Sequence, residues 1–189
     1  PDGFQFELST DYHTIIDSDY GAIFDRYRTV GREPPGYILK GMELAYELYP
    51  RLSRPDRRLP QLNDGGAAKI VPRMKRALTF YPHREDFRWF ATDGAEGKEP
   101  DYLSYAFPWS GAVVFRDSWK RDAVWGYVDM SPFGYSHQHE DKLNFLLFAY
   151  GKEMLTDAGN YEYDTSDMRK YVISTRAHNT VMIDGKEQN

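Results

Sequence analysis

The most constraining feature of this chain is a change of hydrophobic period close to residue 100. Before it, apolar residues recur three or four apart, as on a helix with one buried face. After it come short β-branched and aromatic runs separated by tight-turn residues, as in antiparallel hairpins. Helices followed by strands in one chain of 189 residues predict an α+β architecture with segregated layers. We place one domain at 1–95 and another at 96–189.

The helical half begins with "STDYHTIIDSDYGAIFDRYRTV". Ser9, Thr10 and Asp11 are candidate N-caps. Tyr12, Ile15, Ile16, Tyr20, Ile23 and Phe24 form the expected buried stripe, and Gly31 with Pro34-Pro35 ends it. "YILKGMELAYELY" predicts a second helix with Ile38, Met42, Ala45 and Tyr49 inward. Pro50, Pro55 and Pro60 mark a loop, and Asn63 and Asp64 in "LPQLNDGG" order another. "AAKIVPRMKRALTFY" predicts a third helix, kinked or restarted at Pro72, and "REDFRWFAT" a short fourth. "DGAEGKEPDYLS" reads as a connector.

In the second half, "GAVVFRD" and "AVWGYVDM" flank one turn, and "LNFLLFAY" and "EMLTDAG" flank another at Gly151-Lys152. "NTVMID" before Gly185-Lys186 predicts a third hairpin. A succession of hairpins suits an antiparallel β-sandwich. No internal repeat or low-complexity segment appears. The first residues, "PDGFQFELST", lack a starting Met, and we expect a segment of a longer chain.

Composition excludes some functions. There are no cysteines, so disulfides and thiolate metal sites are out. The net charge of −5 without a basic run argues against a nucleic-acid partner, and no apolar stretch is long enough to span a membrane. The 15 tyrosines suit either ring-stacking sugar surfaces or aromatic packing.

Two of the five histidines lie in "SHQHEDKLNF". On extended backbone His137 and His139 would face the same side. Asp157 in "LTDAGNYEY" and His178 in "STRAHNTVMID" stand at the ends of other strands. Two imidazoles and a carboxylate make a sensible Zn²⁺ set, but H-x-H also arises by chance on polar loops. A cupin-type metalloenzyme, which also uses H-x-H on a β-sandwich, fits poorly. Glu140 and Asp141 follow too soon, and the strand after them carries no acid.

"SHQHEDKLNFLLFAYGKEMLTDAGNYEY" with "STRAHNTVMIDGKEQ" resembles the heparinase II/III-like polysaccharide lyases. "PDGFQFELSTDYH" and "SGAVVFRDSW" are similar to their heparinase III-like branch. The resemblance implies the last helices of an (α/α) toroid followed by the first strands of a β-sandwich, both incomplete here. It implies β-elimination on a uronic-acid-containing glycan, with a heparan sulfate-like acidic polysaccharide favoured as substrate. Tyr12 would be the general acid and His137 the proton acceptor or charge stabiliser. His139, Asp157 and His178 would hold a structural Zn²⁺. His13 would be structural or a supporting residue, and Glu140 and Asp141 extra ligands or supports. Arg176, Asn179, Tyr161 and Tyr171 are candidate substrate-binding residues, with Tyr163 also able to line the cleft. The resemblance further implies a bacterial, periplasmic or secreted protein. The group neutralising the uronate would lie upstream of Pro1, so this segment alone is expected to be inactive and to expose apolar helix faces. A non-catalytic, zinc-containing glycan-binding protein is the alternative.

Overall fold

The computed structural model describes residues 2–188. Four helices, α1 (Thr10–Thr29), α2 (Gly36–Leu52), α3 (Val71–Phe80) and α4 (Glu85–Ala91), precede strands β1 (Tyr105–Phe107), β2 (Ala112–Arg116), β3 (Trp125–Asp129), β4 (Phe145–Ala149) and β5 (Lys152–Leu155). A short helix α5 (Asp167–Val172) and a 3₁₀ turn at Thr175–Ala177 follow. The strands form one antiparallel sheet in chain order β1-β2-β3-β4-β5. Among the described residues this is one layer, with Val113, Val128, Phe145 and Leu147 half-buried on its outer face.

Several local expectations are corrected. The inward face of α1 is not the predicted apolar stripe. Its buried residues are Thr10, His13, Asp17, Gly21 and Phe24, whereas Ile15, Tyr20 and Ile23 are exposed. Ser9 occupies the N-cap position but makes no side-chain capping bond, and the Thr10 hydroxyl donates instead to the Pro60 carbonyl. The end of α2 runs through Pro50, read as part of a loop, while α3 starts beside Pro72, the restart rather than the kink of the two expected alternatives. A proline in the first helical turn lacks only an N–H that would have had no partner. Strand β1, which was not predicted, directly follows the segment read as a connector. The third hairpin is reduced to a single bridge, Ile183 to Lys186.

Polar residues on the buried face of α1 persist because each finds a partner. Asp17 accepts from the Tyr49 hydroxyl at 3.0 Å and from Arg73 at 2.8 Å. Desolvation, then the Asp17 charge, holds the Tyr49 phenol well above its ordinary pKa, so it stays a donor. His13 Nε2 donates to the Ala45 carbonyl at 2.9 Å. Burial depresses its pKa to about 4, which makes it a neutral core histidine. Tyr49→Phe should cost about 1–2 kcal/mol in urea unfolding, because a buried carboxylate loses one donor.

The two halves share one core and dock through arginines. Trp119 packs edge-on against Trp89 and Phe90, with centroids 6.1 and 5.1 Å apart. The Arg57 guanidinium lies 4.7 Å from the Trp89 ring and donates to the Trp119 carbonyl at 3.1 Å. Arg116 of β2, over the Trp119 ring at 3.9 Å, donates to the Arg51 carbonyl at 2.7 Å. It thereby satisfies an orphan carbonyl at the C-terminus of α2. Asp2 accepts from the backbone N–H groups of Trp109 and Ser110 at 3.1 and 2.9 Å, pinning the N-terminal segment to the β1–β2 turn. Loops from both halves are therefore held in fixed relation at the seam.

Candidate active site

Tyr12 stands in the first turn of α1, and His137 in the loop between β3 and β4. Their rings stack across the seam with centroids 3.6 Å apart and planes 17° from parallel. The Tyr12 hydroxyl shares a hydrogen bond of 3.0 Å with the Tyr163 hydroxyl. Desolvation and that bond raise the Tyr163 pKa. His137 Nδ1 lies 3.0 Å from a Glu7 carboxylate oxygen and 3.1 Å from the Ser136 hydroxyl. A carboxylate can only accept, so Nδ1 carries a proton, and in the neutral imidazole Nε2 keeps its lone pair. Gln138 reaches back to the Glu7 carbonyl at 3.3 Å.

The loop does not have the extended backbone on which the same-side argument rested. Ser136 and His137 have φ of 55° and 23°, a left-handed region that non-glycine residues occupy at a cost of about 1–3 kcal/mol. The twist separates the two histidines. His137 turns to Tyr12, and His139 turns inward to full burial.

His139, Asp157 and His178 come together from three loops, with one donor atom of each within 4.8 Å of the others. His139 Nε2 donates to Asp64 Oδ1 at 2.9 Å, and His178 Nδ1 donates to the Ser174 carbonyl at 2.8 Å. Each imidazole has thus spent its one N–H on the far side. The remaining atoms, His139 Nδ1 and His178 Nε2, are both acceptors and face one another at 3.2 Å. Asp157 Oδ2 lies 3.8 Å from His178 Nε2. Two ligands of a tetrahedral zinc ion, at about 2.0–2.1 Å from it, would be about 3.3–3.4 Å apart. Two imidazole nitrogens and a carboxylate oxygen, all within 4.8 Å of one another, could hold a divalent cation.

Electrostatics agree with that geometry. Burial pushes the Asp157 carboxyl up to about 7 against the lowering effect of the Gly159 N–H, and burial likewise depresses His178. A nearby cation would offset the cost of charging Asp157. Asn144, fully buried, donates to Asp157 at 2.6 Å and accepts from the Asn179 N–H at 3.0 Å. Asp64 differs, since burial opposes its charge but the hydrogen bonds from His139 and Arg169 prevail and hold it at about 2.

Other predicted site residues are placed elsewhere. Arg176 pairs with Glu187 at 2.9 Å and Asn179 donates to the Thr156 carbonyl at 2.8 Å. Tyr161 and Tyr171 are exposed, and it is Tyr163 that touches Tyr12. Glu140 accepts from Thr175 at 3.4 Å, and Asp141 pairs with Lys142 at 3.0 Å, so neither joins the three-residue cluster. Sequence reasoning assigned no role at the site to Glu7, Arg169 or Asn144. The H-x-H spacing carried no sign of them.

Fold and site together define a two-part protein, helices against an antiparallel sheet, with a tyrosine–histidine pair and a buried three-ligand cluster at the seam. The family model described as Heparinase II/III N-terminus matches residues 1–89, and that described as Heparinase II/III-like, C-terminal, matches residues 99–189. The chain belongs to the heparinase II/III-like family. It is 31% identical over 195 residues to a heparin-sulfate lyase of Bacteroides stercoris and 29% identical to one of Pedobacter heparinus. Each alignment covers 98% of this chain but 29% of the relative. Among solved structures, the Heparinase III-BT4657 gene product superposes with a TM-score of 0.92 at 31% identity. The heparan sulfate lyase HepC of Pedobacter heparinus does so with 0.89 at 29%. Both cover 98% of this chain and 30% of the other.

Proposed function

We propose that the protein containing this chain is a polysaccharide lyase that cleaves a heparan sulfate-like glycan by β-elimination, with Tyr12 and His137 as its acid–base pair. The observation that carries this reading is the 3.6 Å stack of Tyr12 on His137. It sets a phenolic O–H and a bare imidazole nitrogen, from opposite halves of the fold, at one place. Elimination needs such a pair. His137 Nε2 takes the C5 proton next to the uronate carboxylate, the C4–O4 bond breaks as the C4–C5 double bond forms, and the Tyr12 hydroxyl protonates the leaving O4. No water is added, so a pair of hydrolytic carboxylates is unnecessary. Tyr163, bonded to Tyr12, orients that hydroxyl. The names of the relatives support the substrate class. A bacterial protein acting on such a polymer would work outside the cell or in the periplasm.

His139 Nδ1, His178 Nε2 and Asp157 Oδ2 are the atoms that would hold Zn²⁺, a role supported by their convergence and by the far-side partners that occupy the other nitrogen of each imidazole. When bound, the ion supplies a cross-link among three loops rather than a nucleophile, which elimination does not require.

The full-length protein incubated with heparan sulfate should generate an unsaturated uronate that absorbs in the near ultraviolet. Absence of that absorbance with heparan sulfate, heparin and other uronate polymers would overturn the lyase reading.

A further inference from the structure

Asp64 sits in the loop after α2, on the helical side of the seam, and is 1% exposed. A carboxylate so buried needs every lone pair engaged. Oδ1 accepts from His139 Nε2 at 2.9 Å, and the Arg169 guanidinium grips both oxygens, at 2.5 and 2.8 Å. The backbone of the same loop holds the histidine segment too. The Asp64 N–H donates to the His137 carbonyl at 3.0 Å, and Asn63 accepts from the His139 N–H at 2.9 Å while donating to the Leu8 carbonyl at 3.1 Å. On its other side, Arg169 lies 5.3 Å from the ring of Tyr163, whose hydroxyl meets that of Tyr12.

We propose that Asp64, clamped by Arg169, is a positioning residue that couples the metal cluster to the Tyr12–His137 pair. Two consequences of the geometry support it. By taking the Nε2 proton, Asp64 fixes the tautomer in which His139 Nδ1 is free to ligate. By reaching from the helical half, it makes the ring that would hold metal a tie between the halves. Arg169 extends the tie from Asp64 to Tyr163 and so to the acid. Loading the cluster therefore stiffens the first turn of α1 as well as the histidine loop. The inference rests on the metal reading of His139, Asp157 and His178.

The test uses the full-length protein with Zn²⁺ as probe, measuring affinity by competition against a chromophoric chelator. Asp64→Ala should bind Zn²⁺ about 10–100-fold more weakly. Asp64→Asn keeps the volume but faces Arg169 with an amide N–H₂, and should weaken binding in the same direction. Amide hydrogen exchange reads the coupling. In wild type, chelation should speed exchange at residues 10–14 as well as at 137–139. In Asp64→Asn the effect should stay confined to 137–139. Wild-type affinity in a folded Asp64→Ala protein, or in Asp64→Asn if the alanine variant does not fold, would overturn the proposal. So would an unchanged exchange pattern in Asp64→Asn. If wild type binds no Zn²⁺ at all, the metal reading itself falls, and this inference with it.

Discussion

Tyr12→Phe in the full-length protein is expected to lower turnover on heparan sulfate by about 10²–10⁴-fold, the usual contribution of a positioned general acid. The substitution is well suited to separate chemistry from packing. The ring that stacks on His137 at 3.6 Å remains, and only the hydroxyl bonded to Tyr163 is removed. That bond is between partly exposed groups, so stability should change by about 1 kcal/mol or less. Initial rates of ultraviolet absorbance, beside a thermal unfolding curve, would measure both. A Phe variant that keeps wild-type turnover would take Tyr12 out of the mechanism. A wild type that binds the polymer but never yields the unsaturated product would favour the non-catalytic glycan-binding alternative.

Removal of metal, by chelation or by His178→Ala, is expected to act first on stability. An ion present at about 1,000 times its Kd stabilises the folded state by about 4 kcal/mol, and that contribution disappears with the ligand. The effect should be large because the three proposed ligands tie segments far apart in the chain. His139 belongs to the β3–β4 loop, Asp157 follows β5, and His178 follows the 3₁₀ turn. Without a cation, His139 Nδ1 and His178 Nε2, 3.2 Å apart, lose their common partner, and Asp157 is driven toward its neutral form by burial. The unfolding midpoint should therefore drop on chelation. Turnover measured well below that midpoint should persist, since no step of the proposed elimination passes through the ion. Immediate loss of turnover in a protein that stays folded would instead support a cupin-like, metal-centred chemistry.

Much of the architecture was legible in the residues. The stripe Met42, Ala45 and Tyr49 is buried in α2, and a turn joins β4 to β5 one residue before the expected Gly151-Lys152, at Tyr150-Gly151 with φ of 54° and 71°. These signals are local, because a helix stripe or a tight turn depends on residues a few positions apart. The inward face of α1 was not legible. His13 and Asp17 are buried there through Ala45, Tyr49 and Arg73, partners no periodicity reveals. Strand β1, three residues long, is too short to show an alternation.

The candidate site divides in the same way. The residue types Tyr12, His137, His139, Asp157 and His178 could be picked from the sequence with the help of a family resemblance, and the period change near residue 100 set the helix-then-sheet order unaided. Which atom faces which was decided only by tertiary structure. Glu7 lies 130 positions from His137, Asp64 75 from His139, Arg169 105 from Asp64, and Tyr163 151 from Tyr12. The tautomers of His137 and His139, and with them the free nitrogens that can take a proton or hold a metal, are set by those distant partners, whereas that of His178 is set locally by Ser174. Such contacts form only once both halves have buried a shared core, so the chemistry of the imidazoles is a property of the packed seam.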